Sequence, residues 1–193
     1  MRIILAVGLL VVSLGSPGMS QDSQSPYAGF EARDIAALSA HDIAELKAGR
    51  GWGLALAAEL NGYPGPMHVL ELSEELALSS DQKAQIIEVI DQMRADAIAA
   101  GAELIAAEAA LDQAFSEGGI TQAALRDAVA AAGSARTDLR FVHLSRHLLT
   151  IEILDDVQIE RYAILRGYAQ DPCNSVPQGH DETMWRRHNG CNN

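Results

Sequence analysis

Apolar residues recur every three or four positions from Ile86 through Val89, Met93, Ala97, Ala100, Leu104, Leu111 and Phe115, with Glu108 the one charged member of the stripe. That rhythm is helical and persists for about ten turns, so it predicts one long amphipathic helix. Ser79 stands three residues ahead of Gln82, the capping-box arrangement that opens a helix, and Gly118-Gly119 closes it. Thr121 can cap a return helix that carries Leu125, Val129, Leu139 and Val142 and runs to about Leu154. Two long helices joined by so short a turn must lie antiparallel, so residues 80–116 and 121–154 are expected to form a helical hairpin.

Shorter helices are expected to flank the pair. One runs from Asp34 to Lys47 and ends near Gly49-Arg50-Gly51; a second runs from Trp52 to Leu60 and stops at Asn61-Gly62. Tyr63-Pro64-Gly65-Pro66 reads as a rigid turn, with Pro66 suited to the first position of a third helix, Met67 to Leu76. Asp155 caps a last helix to Arg166, and Gly167 is its natural stop. Leu139, Phe141, Leu144, Leu148, Leu149, Ile151 and Ile153 surround most of the return helix, so further elements or a second chain must cover it, and a homodimer is expected. Gly101 and Gly133, both mid-helix, admit bending or a close approach of the hairpin arms.

The 193 residues suffice for one ordinary domain, and an aromatic content of 5% beside abundant alanine favours an all-α fold over a β-sandwich. Arg2, the apolar run Ile3 to Leu14 and the small residues around Gly18-Met19-Ser20 read as a secretory signal cleaved near Ser20. The run is too short to be a stable membrane span. The expected organisation is a signal peptide at 1–20, a flexible lead-in at 21–33, a helical domain at 34–168, and a tail at 169–193 without helical periodicity. A net charge of −12 excludes generic nucleic-acid binding, which needs a basic footprint. In an exported protein the two cysteines, Cys173 and Cys191, are expected to form a disulfide rather than a zinc site with His180 and His188.

His143 and His147 stand four residues apart on the return helix and so share a face, the spacing at which two imidazoles grip one metal ion. Arg136, Arg140, Arg146 and Thr150 fall on the same side, so the pair reads equally as part of a solvated polar arc. No Gly-x-Ser-x-Gly, His-Glu-x-x-His, phosphate-binding glycine loop or Cys-x-x-Cys is present, and no enzyme is expected.

Leu78-Ser79-Ser80-Asp81-Gln82 and Leu154-Asp155-Asp156-Val157-Gln158 share one pattern: leucine, a capping residue, two variable positions, glutamine. With Tyr162 and Leu165-Arg166-Gly167-Tyr168 after the second copy, the chain resembles the LTxxQ family of bacterial periplasmic proteins over roughly Met67 to Tyr168. Serine and aspartate stand where that family has threonine, and all three can cap a helix. The family includes Spy- and CpxP-like chaperones and CnrX- and ZraP-like heavy-metal proteins. The resemblance implies a hook-shaped all-α subunit paired into a cradle-like homodimer, a periplasmic location and no catalysis.

It implies one of two roles. The preferred one is heavy-metal sensing or resistance in the envelope stress response. The metal-binding relatives place a ligand pair in the segment that holds His143 and His147. His68 matches part of a second pair; Leu72 stands where its partner would be, leaving Glu71 and Glu108 as substitute ligands. Such donors suit a divalent transition metal: Zn, Ni, Co or Cu. The alternative is an ATP-independent refolding chaperone, or a modulator of an envelope sensor kinase. Arg136, Arg140 and Arg146, beside Leu139 and Leu154, would then hold unfolded clients or the sensor protein.

Overall fold

The computed structural model of the protein describes residues 25–191, so the signal segment and its cleavage site near Ser20 lie outside the described residues. After a short 3-10 turn at Phe30–Ala32 come α1 (Ala40–Lys47), α2 (Leu56–Glu59), α3 (Pro66–Glu71), α4 (Ser80–Ser116), α5 (Gln122–Ile153), α6 (Asp156–Leu165) and α7 (Glu182–His188). Most of the described residues are helical, and they form no strand.

The hairpin begins and ends where capping chemistry places it. Ser79 Oγ accepts from Gln82 N at 3.1 Å while Gln82 Oε1 accepts from Ser79 N at 3.0 Å, which satisfies two donors at the start of α4. Thr121 caps α5 through Ala124 N, and the left-handed Gly118 and Gly119 reverse the chain between the two helices. Gln82 bonds the carbonyl of Ile153 at the base of the hairpin, and Arg146 pairs with Asp96 further along, which fixes the antiparallel sense. Asp155 caps α6 in a second capping box, and Gly167 follows it at φ +74°.

The short helices depart from the sequence reading. α1 starts at Ala40 rather than Asp34, because Ser39 and Asp42 form a capping box of their own. The segment predicted as one helix from Trp52 to Leu60 is helical only over Leu56–Glu59. Trp52 sits at φ +45° between two glycines, held by an indole bond to Asp42 at 2.9 Å and by the Arg136 guanidinium 4.7 Å above its ring. Those contacts outweigh local helix preference. α3 stops at Glu71, and the chain winds through turns to Ala77 (φ +50°) before Leu78 N bonds Ser73 O. The tail is not structureless: Asp181 caps α7, and Cys173 and Cys191 are joined in a disulfide.

Two apolar clusters hold the fold. One gathers Ile35, Leu38, Leu46 and Leu54 against Ala97, Leu104, Ala135 and Leu139 of the hairpin. The other gathers Val69, Leu76 and Leu78 with Ile86, Ile90, Leu154 and Tyr162 at its base. The close approach that glycine permits lies between α1 and α4, not between the hairpin arms. A Cβ on Gly101 would stand 2.8 Å from Leu46 O, and one on Gly49 2.9 Å from Arg94 O, whereas nothing lies within 4 Å of Gly133. On the outer side of α5, Phe141 is 70% and Leu148 53% exposed. No helix among the described residues is long and apolar enough to cross a membrane.

Candidate functional site

Between the two clusters lies a cavity of about 410 Å³, walled by residues 48–56, by the turn into α3, and by α4 and α5. His143 and His147 face it. The reading that places them on a solvated arc is corrected: they are 2% and 6% exposed. Ala132, Ala135, Leu139, His143, His147, Thr150 and Leu154 form one buried stripe at steps of three and four, so the imidazoles occupy positions that elsewhere hold apolar side chains. The N-terminal segment covers them.

A buried polar atom normally has a partner. His143 Nε2 has none. Burial, and then the neighbouring His147, push the His143 pKa below its ordinary value, against a backbone hydrogen bond at Arg50 that favours the proton. His147 Nδ1 donates to the Tyr63 carbonyl at 2.7 Å, which leaves its Nε2 as the nitrogen with a lone pair. The Tyr63-Pro64-Gly65-Pro66 turn makes this possible, because a Cβ at Gly65 would crowd His147 Cε1 at 3.1 Å.

Glu59 is the site residue that sequence reasoning missed. It is 8% exposed and sits on the four-residue α2. Its Oε1 accepts from the Tyr162 hydroxyl and, at 3.1 Å, from the Tyr168 hydroxyl, with Arg166 Nε 3.5 Å away. Its Oε2 lies on the cavity side, 3.9 Å from His147 Nδ1. Burial, the Glu59 hydrogen bond and the Glu59 charge all raise the Tyr162 phenol well above its ordinary pKa.

His68 and Glu71 of α3 also line the cavity, and His68 Nδ1 contacts Glu71 Oε2 at 2.9 Å. Met67, Met93, Arg50 and Arg94 share the lining. Glu108 does not: it lies on the distal part of α4, roughly 22 Å along the axis beyond Met93. Among the described residues, no three His, Cys, Asp or Glu side chains come together as a complete metal site. Of the arginines assigned to a client surface, Arg146 is paired with Asp96 and Arg136 stacks on Trp52, while Arg140 is exposed.

The two leucine–cap–glutamine segments meet. Leu78 and Leu154 are buried in the basal cluster. Gln82 Nε2 bonds Ile153 O and Gln158 Oε1, and Gln158 Nε2 bonds Leu76 O and Gln82 Oε1. Each glutamine therefore caps its own helix and grips the segment entering the other. This clasp sets the ends of α4 and α5, and through α5 the placement of His147.

A wider groove of about 590 Å³ between α4 and α5 is lined by Gln85, Glu88, Leu149 and Glu152 among others, with no histidine. In the tail, Trp185 Nε1 bonds Pro172 O and Arg186 bonds Cys173 O, so the disulfide loop is tied to itself. No family model, curated protein or solved structure matches the chain.

Proposed function

We propose that this is a non-enzymatic, periplasmic metal-binding protein of the LTxxQ type, a sensor or resistance factor that takes up a transition-metal ion in the cavity of His143 and His147. One observation carries the reading. His147, His143 and His68 line one cavity; Nδ1 of His147 is engaged by the Tyr63 carbonyl and Nδ1 of His68 by the Glu71 carboxylate, while the buried Nε2 of His143 has no partner. Imidazoles that ligate metals are oriented this way, by a second hydrogen bond that fixes the tautomer and frees Nε2. The unpartnered Nε2 of buried His143 is the atom whose desolvation a metal bond would offset. Imidazole donors suit Zn, Ni, Co or Cu. Glu59 and Glu71 are the carboxylates within the lining, and Glu108 is left out of the ligand set.

Calorimetric titration of metal-free protein tests this. Stoichiometric uptake by the wild type, lost in a His143→Gln/His147→Gln variant that keeps its helical spectrum, is the expected outcome. No uptake of any of these ions overturns the reading.

A second reading has its own support. Phe141 and Leu148 form an exposed apolar strip on α5, as a client-holding chaperone or a homodimer interface requires. The basic component of that surface is reduced to Arg140, since Arg136 and Arg146 are engaged elsewhere. Aggregation suppression that persists in chelator and in the histidine variant would favour the chaperone.

A further inference from the structure

We propose that the ion this cavity selects is soft and monovalent: Cu(I), with Ag(I) as its redox-inert mimic, bound by Nε2 of His143 and His147 and by the thioether of Met93, with Met67 at the rim. The proposal rests on the metal-binding reading above and narrows it from divalent ions to another class. Of the chain's five methionines, two line this one cavity, from α3 and α4, on walls other than that of the histidine pair. Thioether sulfur is a soft, neutral donor of the kind that selects Cu(I).

The oxygen donors are already committed. Glu59 Oε1 serves Tyr162, Tyr168 and Arg166, and Glu71 serves His68. Among the described residues no three His, Cys, Asp or Glu side chains come together, so the donor that joins the two imidazoles is of another kind, and Met93 is in the lining. Cu(I) and Ag(I) are satisfied by linear or trigonal coordination, which two imidazoles and one sulfur supply. Charge points the same way. Arg50 and Arg94 line the cavity, and each repels a dication twice as strongly as a monocation at the same distance. Arg50 is partly neutralised by Glu45 at 2.8 Å; Arg94 has no ion-pair partner among the described residues.

The test is anaerobic titration of the full mature protein with Cu(I), held by a chromophoric competing chelator, and with Ag(I), beside Zn, Ni and Co. Met67→Leu/Met93→Leu and His143→Gln/His147→Gln are run alongside, with circular dichroism as the check on folding. The expected result is one Cu(I) or Ag(I) bound, weakened by about tenfold or more in the methionine variant, with divalent binding in that variant unchanged. X-ray absorption of the copper form should show a sulfur neighbour that the methionine variant lacks. Divalent uptake through the histidines, with monovalent binding absent or indifferent to the methionines, overturns this inference and leaves the metal-binding reading intact. Equal loss of all ions in the methionine variant also overturns it, since the methionines would then be only packing. No uptake of any ion removes both.

Discussion

Gln82 Nε2 donates to Gln158 Oε1 at 2.8 Å, and Gln158 Nε2 reaches back to Gln82 Oε1 at 3.2 Å, so two amides 76 residues apart bond in both directions. Each oxygen also accepts from its own helix's N-cap amide, and each nitrogen also donates to a carbonyl of the opposite segment. The two helix starts are thereby one structural unit.

Gln82→Ala and Gln158→Ala should each cost about 1–3 kcal/mol, because each leaves an N-cap amide and a carbonyl without a partner. The double variant should cost less than the sum, since the second change removes a bond the first has already broken. Urea unfolding of the four proteins measures this. Additive losses would show that the two amides act separately.

Glu59→Ala should destabilise by about 2–3 kcal/mol, because it strands the Tyr162 hydroxyl in the core and removes the carboxylate beside Arg166. The Tyr162 phenol is raised, chiefly by burial and then by Glu59, so its contribution holds below the ordinary phenol pKa of 10.0 and is lost as pH rises above it, where the unfolded chain ionises first. Glu59→Gln should lower the pH at which the last tyrosinate absorbance appears. An unchanged titration would count against the contact.

Much of the fold was legible because capping residues announce themselves locally: Ser79, Thr121, Asp155 and Gly167 all do what their positions predict. Glu59 was not legible. It stands on a single helical turn, too short for periodicity, and its partners Tyr162 and Tyr168 lie more than a hundred residues away. Helical projection puts Arg136, Arg140, His143, Arg146, His147 and Thr150 on one solvated side of α5, yet His143, His147 and Thr150 are buried while Arg136 and Arg140 are exposed. Residues 48–53 and 65–68 line the cavity with the histidines, and Trp52 stacks with Arg136. Burial there is set by another segment, and no helix encodes its own cover.

Asp42 should give the protein an acid-sensitive step. Its bonds from Ser39, and next from Trp52, hold its carboxyl at about 2, below the reference 3.8. A lowered carboxyl stabilises fully above the unfolded pKa, and that contribution drains as pH falls from 3.8 toward 2. Asp42→Asn should flatten the fall, measured by thermal unfolding across that range. A parallel fall in both proteins would assign it elsewhere.

His143 works in a nearer range. Its pKa is lowered by burial and by His147, so the unfolded chain takes up the proton more readily. Metal-free protein should therefore be at full strength above the ordinary 6.5 and lose stability as pH falls below it. His143→Leu should remove this part of the acid loss. Melting temperatures of both proteins at pH 5 to 8, with chelator present, decide it.

Gly101→Ala and Gly133→Ala make a controlled pair, both mid-α5-or-α4 glycines whose helical cost is the same. The first places a methyl 2.8 Å from Leu46 O and should destabilise by about 1–3 kcal/mol. The second meets nothing within 4 Å and should gain roughly 0.5–1 kcal/mol from helix propensity. Equal effects in denaturant titrations would refute the backbone contact.

The matching contact of Gly49 with Arg94 O, both in the lining, gives the cavity a fixed side and a yielding side. Where Gly49 meets Arg94 O and Gly101 meets Leu46 O, main chain rests on main chain, and no rotamer can change to make room. Another part of the wall is Glu59, held by side-chain hydrogen bonds from Tyr162 and Tyr168. A guest arriving in this cavity would meet one wall that cannot give and one that can. Its arrival would be felt first at Tyr162 within α6 and at Tyr168 just beyond it, where the chain leaves for the disulfide loop.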